Sequence, residues 1–278
     1  MSKKLQKAKA TLFRDMHRGA EILVLANAWD SGTAKVLASA GCKAIGTTSA
    51  GIAFAHGLPD AQVISRKAMM TAIAKIAAAV AIPVSADIEA GYGPSPADLA
   101  ETVRLAIKAG AIGGNIEDST GQADQPLFTL AASVERIKAA RAAAEATGIP
   151  FVINARTDIY AVPGLSTEAR FDVAVQRANA YRAAGADCLF VPFINDLDLI
   201  GRLARSIDGP LNVVVGGPGM PSVRQLQSVG VARLSIGGSL ARASFGLVRR
   251  AARELLQAGT FGYIEGAIPH GEINSLFG

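Results

Sequence analysis

Ile82-Pro83-Val84-Ser85-Ala86-Asp87-Ile88-Glu89-Ala90-Gly91-Tyr92-Gly93 joins a short apolar run to two carboxylates and a Gly-x-Gly turn. The run at 83–87 is too short for a stable helix and reads as a buried strand. A helical stretch follows at 96–109, closed by Gly110, and the chain returns to an apolar run at 112–116. Strand, polar loop, helix, glycine and strand together make a parallel β-α-β unit, because parallel neighbours need a long crossover.

The unit repeats in both directions. Further strands are expected at 22–26, 43–47, 151–155, 188–191, 211–215 and 232–236. Helices are expected at 31–40, 65–80, 133–147, 168–184, 196–206, 221–228 and 239–258. A helix–Gly–Ala/Cys–strand joint recurs at Gly41, Gly110, Gly185 and Gly230, where glycine supplies a left-handed cap. Eight such units predict an α/β fold of the (β/α)8 TIM-barrel kind, with residues 1–278 as one barrel domain. The tail after Gly259 mixes Gly, Pro and apolar residues and is read as an arm packed on a neighbouring subunit. Residues 1–9 are basic and polar and are expected to form a frayed helical turn.

Composition narrows the class. Half of the 278 residues are hydrophobic and only 5% aromatic, so the core is aliphatic. Cys42 and Cys188 stand in unrelated contexts, which excludes a disulfide framework or zinc spacing and leaves two buried thiols. The net charge of +5 comes from scattered residues such as Arg136, Lys138 and Arg141, read as a solvated surface. A nucleic-acid partner would want a clustered basic face. The longest apolar stretch, 73–83, is interrupted by Lys75 and is too short to span a bilayer. The N-terminus has no apolar core of a signal peptide, so a cytoplasmic location with no membrane partner is expected.

A barrel of this kind does its chemistry at the C-terminal ends of its strands. There the sequence places Thr47-Thr48-Ser49 with Asp60 beyond, Asp87 and Glu89, Asn115-Ile116-Glu117-Asp118, and Asn154-Ala155-Arg156-Thr157-Asp158. Residues i and i+2 of a strand share a face, so Asp87 and Glu89 are expected to converge. Clustered acids repel unless a cation or proton separates them, and hard oxygen ligands favour Mg²⁺ or Mn²⁺. Arg156 is then either a two-pronged clamp for a substrate carboxylate or an ion-pair partner of Asp158 or Glu117.

These motifs, with Thr47-Thr48-Ser49-Ala50-Gly51 and Gly230-Val231-Ala232-Arg233-Leu234-Ser235, resemble the isocitrate lyase/phosphoenolpyruvate mutase superfamily from about Leu25 to Gly259. The resemblance implies Mg²⁺ dependence and a small 2-oxo or 2-hydroxy acid substrate whose C–C or P–C bond is made or broken. By the same resemblance Asp87 is the direct metal ligand, and Asp60, Glu89 and Glu117 hold metal-bound waters. Thr48, Ser49 and Ala50 line an oxyanion pocket, and Arg156 grips the substrate. It further implies a homo-oligomer, a tetramer built from dimers that exchange a C-terminal helix. The family usually has Asp where this chain has Glu89. The family's lyases carry Lys-Lys-Cys-Gly-His on the loop after the fourth strand, and its mutases a Lys and an Asn-Ser pair. Here Ser119 to Phe128 holds no Cys, Lys or His, and Pro192-Phe193 stands where a histidine is usual after the sixth strand.

The chain is therefore expected to be a Mg²⁺-dependent carbon–carbon lyase or decarboxylase working through an enolate. P–C bond chemistry, or oxo-acid binding without catalysis, are the alternatives. With the loop bare, the proton donor falls to His56 or Tyr92, although the former also reads as an exposed loop residue and the latter as a packed turn residue. Trp29 is expected to wall the pocket, Asp30 to cap the first helix, and His17 and His270 to lie at the surface.

Overall fold

In the computed structural model, which describes residues 1–278, eight parallel strands close into a barrel in the order β1 to β8. They are β1 (Leu23–Ala28), β2 (Ile45–Thr47), β3 (Val84–Asp87), β4 (Gly113–Glu117), β5 (Val152–Arg156), β6 (Cys188–Phe190), β7 (Leu211–Val214) and β8 (Arg233–Ser235). Each lies within two or three residues of its sequence expectation. The ring closes where β8 pairs with β1, Leu23 opposite Arg233.

The helices between them are α2 (Ser31–Ser39), α4 (Arg66–Ala79), α5 (Pro96–Lys108), α6 (Leu130–Thr147), α7 (Thr167–Ala183), α8 (Leu197–Ser206), α9 (Val223–Ser228) and α10 (Ser239–Gln257). Local chemistry starts them. Asp30 caps α2 and Ser95 caps α5, each in a reciprocal box with the residue three positions on, and Pro96 opens α5. The four joint glycines all have φ between 93° and 109°, a region a side chain rarely enters. The core between barrel and helices is aliphatic, with Ile73, Ile76, Leu99, Ile112 and Ile153 fully buried.

The N-terminus departs from expectation. It forms a complete helix, α1 (Lys3–Met16), whose Gln6, Ala10 and Phe13 are buried. Gln6 Nε2 donates to the carbonyls of Ile107 (2.7 Å) and Ala111 (3.0 Å), tying α1 to the joint between α5 and β4. Phe13 reaches the barrel floor: a Cβ on Gly113 would stand 3.1 Å from its ring. The buried residues recur at helical spacing, but the lysines between them mask the pattern in sequence. His17 continues this face and is buried, not exposed. Its Nδ1 lies 2.8 Å from the Phe13 carbonyl and its ring meets the Phe13 ring edge-on. Arg136 is also buried, contrary to its reading as solvated surface.

A short helix absent from the sequence reading, α3 (Ser49–Ala55), follows β2. The C-terminal arm ends in α11 (His270–Phe277), which lies against α2 of the same chain, where Lys35 Nζ donates to the Phe277 carbonyl at 3.0 Å. Phe245, Val248, Leu256 and Phe261 are exposed along α10 and the segment after it. No helix is long and apolar enough to cross a membrane.

Candidate active site

Strand register decides which residues face the barrel interior. Gly46, Ser85, Gly113 and Val152 form one run of neighbours across β2 to β5, and Asp87, Asn115, Asn154 and Cys188 form the next across β3 to β6. Arg156, Phe190, Asn212 and Arg233 form a third across β5 to β8. Barrels usually fill this space with branched aliphatic side chains. Here much of it is polar, and a cavity of about 330 Å³ opens from the C-terminal mouth down to Arg233. Gly46 is glycine because a Cβ there would stand 2.7 Å from Asn27 Nδ2. Asn27 of β1 in turn ties the ends of β2 and β8: it donates to the Thr47 carbonyl (2.7 Å) and accepts from the N–H groups of Ile236 and Gly237 (2.9 Å each).

Asp87 closes β3 at the mouth of this cavity. Its carboxylate accepts from Ser49 N–H (3.0 Å), Asn115 Nδ2 (3.3 Å) and Glu89 N–H (3.4 Å), and its own N–H donates to Thr47 Oγ1 (2.9 Å). Ser49 Oγ donates to Asp60 Oδ1 at 3.3 Å. Thr48, Ser49, Ala50, Asp60, Asp87 and Arg156 therefore meet around one space, as their positions at strand ends implied. The oxyanion segment is the start of α3, with Thr48 as its cap. The N–H of Thr48 is bound to the Ala28 carbonyl and that of Ser49 to Asp87.

Glu89 does not share the strand face of Asp87. The strand ends at Asp87, and Glu89 takes φ of 51°, which turns its side chain under the rim. There it is buried, accepting from Tyr92 Oη (2.8 Å) and the Gln62 N–H (2.5 Å). Burial, then the charges of Asp87 and Asp60, raise its pKa to about 7 despite those two bonds. Tyr92 also has positive φ, 58°, and lines a groove between α4 and α5 instead of the cavity. Burial and the Glu89 carboxylate push its hydroxyl well above the ordinary range, the opposite of what a proton donor needs.

Arg156 is an ion-pair partner of both Asp158 and Glu117, and it also lines the cavity. Its Nε and Nη2 donate to the two oxygens of Asp158 (2.6 and 3.0 Å), and its Nη1 pairs with Glu117 at 2.9 Å. Three of its five N–H groups are thus engaged and two remain at a side chain that lines the cavity. Burial works against its charge, but Glu117 and Asp158 outweigh this and hold its pKa above the usual value. Burial, with Asp158 and Asp87 nearby, pushes Glu117 upward even against Arg156. Asp118 is structural: it accepts from Asp158 N–H (2.9 Å), Arg177 Nη1 (3.0 Å) and Tyr181 Oη (2.7 Å).

Two expected residues lie elsewhere. Trp29 sits behind α3, where Gly51 is required because a Cβ would come within 2.9 Å of the Trp29 Cβ. His56 caps the far end of α3, about 10 Å along it from Ser49 at 1.5 Å per residue. Both border a separate cavity between α2 and α4. The seven-residue helix α3, unread in sequence, separates them from the mouth.

Two arginines were missed. Arg233 lies inside the barrel. Arg136 of α6 donates to the carbonyls of Gly93 (2.9 Å), Pro94 (2.6 Å), Ser95 (3.3 Å) and Ala90, holding the loop after β3 from beneath. Its guanidinium also stacks 4.3 Å from Phe128, the far anchor of the loop after β4. That loop folds into a hairpin: Ser119 bridges Leu127, and Thr120 N–H donates to the Pro126 carbonyl at 3.0 Å. The signal for Arg136 was its place among the apolar positions of a helix.

No three acidic, histidine or cysteine side chains form a ready-made metal cage. The residues nonetheless suit a small divalent cation that keeps several waters. Asp87 is fixed by three donors and faces the cavity. The raised pKa of Glu89 and the upward pressure on Glu117 mark an excess of acid that a cation relieves.

Comparison with known proteins agrees with this architecture. The family model described as phosphoenolpyruvate phosphomutase matches residues 13–256. An uncharacterized protein of Mycobacterium tuberculosis is 37% identical over 226 residues, 81% of each chain. The 2-methylisocitrate lyase of Escherichia coli is 36% identical over 177 residues, 62% of this chain and 58% of that one. A crystal structure of a candidate lyase/mutase from Burkholderia cenocepacia J2315 superposes with a TM-score of 0.93 at 46% identity, covering 99% and 97% of the two chains. With a closed eight-stranded barrel, an acid-ended third strand and a family match spanning nearly the whole chain, the protein belongs to the isocitrate lyase/phosphoenolpyruvate mutase superfamily.

Proposed function

We propose that the protein is a Mg²⁺-dependent carbon–carbon lyase or decarboxylase acting on a small 2-oxo or 2-hydroxy carboxylic acid. The observation that carries this is Asp87, a carboxylate held by three donors at the top of a polar barrel interior, with Arg156 opening onto the same cavity. Kinship with a 2-methylisocitrate lyase supports C–C over P–C chemistry. So does the hairpin at 119–128, which carries no cation to receive a transferring phosphoryl group.

Asp87 would hold a divalent cation, with Asp60 and Glu117 toward its waters and Glu89 adding negative charge from beneath the rim. That cation would supply a Lewis acid for charge developing on the substrate oxygen. The chain's own residues do the rest. Ser49 N–H and Asn115 Nδ2 hold Asp87 in place before substrate arrives, so little reorganisation accompanies the reaction. The two unengaged N–H groups of Arg156 orient a carboxylate from the side. The electron pair of the breaking bond moves onto the adjacent carbonyl oxygen to give an enolate. The departing carbon leaves as CO₂ from an oxo-acid or, once a base has taken its hydroxyl proton, as a carbonyl compound from a hydroxy-acid, and the enolate then takes up a proton. Phe193 stands exposed at the rim, 5.7 Å from the Arg156 guanidinium. All 278 residues are taken as one domain, and the exposed apolar side chains of α10 support a homo-oligomer, read as a tetramer.

The test is a screen of oxo- and hydroxy-acids with and without Mg²⁺, read by release of pyruvate or glyoxylate. It is paired with calorimetric Mg²⁺ titration of Asp87→Ala. The expected result is metal-dependent turnover in the wild type and no Mg²⁺ binding by a folded variant. Undiminished Mg²⁺ affinity in the variant would sink the assignment of Asp87.

A further inference from the structure

The acid loop at the mouth has a second side, turned away from the cavity. Gln62 and Tyr92, which hold Glu89 from beneath, also line a groove of about 970 Å³ between α4 and α5. The groove exists because α5 packs along α6 and stands off from α4. Ala74 and Ala109, which face the gap, are too small to fill it, and Met70 and Leu105 add apolar surface to its walls.

The charge along this groove has one sign. Arg66 and Lys67 line it from α4 and Lys108 from α5, and no carboxylate lines it. Arg66 is engaged, with Nη2 donating to the Tyr92 carbonyl at 2.6 Å and standing 3.7 Å from Asp98. Lys67 and Lys108 stand on opposite walls, and neither forms an ion pair. An apolar trough with a free ammonium on each wall complements an anion with an apolar body.

The wall that the groove shares with the mouth is strained. Ala61, Gln62, Glu89 and Tyr92 have φ of 73°, 60°, 51° and 58°, a region that residues with side chains rarely enter. Such conformations persist only where the surroundings over-determine them, and they gather at switch regions. Here they lock one another. The Glu89 carboxylate accepts from the Gln62 N–H and Tyr92 Oη, and Gln62 Oε1 accepts from the Tyr92 N–H at 2.8 Å. A shift of Gln62 or Tyr92 therefore shifts Glu89.

We propose that the α4–α5 groove is an effector site for a small amphipathic anion, an apolar ring or chain carrying one carboxylate, sulfonate or phosphate, which acts on the mouth through Gln62 and Tyr92. The apolar body lies along Met70, Ala74 and Leu105, and the head group stands between Lys67 and Lys108. An occupant packed on Gln62 and Tyr92 favours the strained arrangement, because that arrangement forms the wall it binds. Glu89 is then fixed beneath Asp87, and Mg²⁺ binds more tightly. Binding follows from the groove alone, whereas the effect on Mg²⁺ rests on the metal reading above.

The probe is naphthalene-2-sulfonate, followed by calorimetry. 2-Naphthol and inorganic sulfate, which carry only its body or only its head, are the controls. The wild type should bind the probe at least tenfold tighter than either control. Lys67→Gln/Lys108→Gln should lose at least tenfold in affinity, the range of charge-assisted bonds. Both lysines are exposed, so that variant should melt within about two degrees of the wild type. Saturating probe should slow amide exchange at 60–62 and 89–92 and tighten Mg²⁺ binding at least fivefold. Mg²⁺ should tighten probe binding by the same factor.

Probe affinity that survives both lysine replacements lies elsewhere and overturns the site. Equal binding of 2-naphthol overturns it too, since the groove would then recognise no anion. Affinity that falls as protein concentration rises would give the groove to a second copy of the chain. Bound probe with unchanged exchange and unchanged Mg²⁺ affinity removes the effector role. A wild type that binds no Mg²⁺ with or without the probe overturns the metal reading, and the exchange at 60–62 and 89–92 then decides the groove by itself.

Discussion

Replacing Arg156 should cost stability as well as activity, and the loss should grow with pH. The guanidinium makes three charge-assisted bonds to two carboxylates, Asp158 at 2.6 and 3.0 Å and Glu117 at 2.9 Å, all with side chains at most one-fifth exposed. In Arg156→Met both acids lose the one group that opposes their burial, so both folded pKa values rise further above the unfolded values. Acids raised in this way stabilise the fold fully below their unfolded pKa near 4, and that stability is lost as pH climbs through the folded value. Breaking a buried pair from one side typically costs about 3–5 kcal/mol, and the part of it carried by these acids deepens as pH rises above their unfolded pKa near 4. Urea unfolding of wild type and variant at pH 5, 6.5 and 8 measures it. Arg156→Lys should fall between the two, because a lysine keeps the charge but not the fork. A loss under about 1 kcal/mol that is flat with pH would refute the reasoning and show that Asp158 and Glu117 find other partners.

Three further outcomes are expected. His17 is held neutral by burial and then by Arg233, its pKa lowered to about 3, so the unfolded chain binds the extra proton between pH 6.5 and 3. Stability should be full above about pH 6.5 and decline by a few kcal/mol toward pH 3, and His17→Gln should flatten that part of the acid-unfolding profile. Arg136→Met should release the loop bearing Glu89 and Tyr92, lowering kcat at least tenfold and increasing amide exchange at 90–95, where an unchanged exchange pattern would deny its positioning role. Replacing the exposed residues 122–125 with small polar ones should change KM and substrate preference. Solvent-proton exchange into bound pyruvate should stay within about tenfold, and a collapse by orders of magnitude would place the proton on Asp124.

The barrel and most of the mouth could be read from the chain because both rest on local rules. Short apolar runs, helical spacing and left-handed glycines at Gly41, Gly110, Gly185 and Gly230 specify repeated units whatever lies far away. Acids placed just past consecutive strands must meet at one mouth once the ring closes, so Asp87, Asp60 and Arg156 followed from position alone. What escaped depended on events longer than one unit or finer than one turn. Glu89 is two residues from Asp87, yet one backbone flip to φ of 51° sends it under the rim. Thr48 capping a seven-residue helix carries His56 away from the mouth.

Arg136 on its expected helix reads like any surface cation, and Arg233 within the expected strand at 232–236 carries no local sign of which way it faces. Only tertiary packing shows that one is sheathed by four carbonyls and the other stands in the barrel above Phe13. Phe13 sits there because α1, whose lysines disguised its apolar face, folds beneath the barrel. The physical reason is the same in each case. Periodicity records which residues turn inward within one element, but a side chain's charge environment is set by groups far away in sequence, which only closure of the ring brings near.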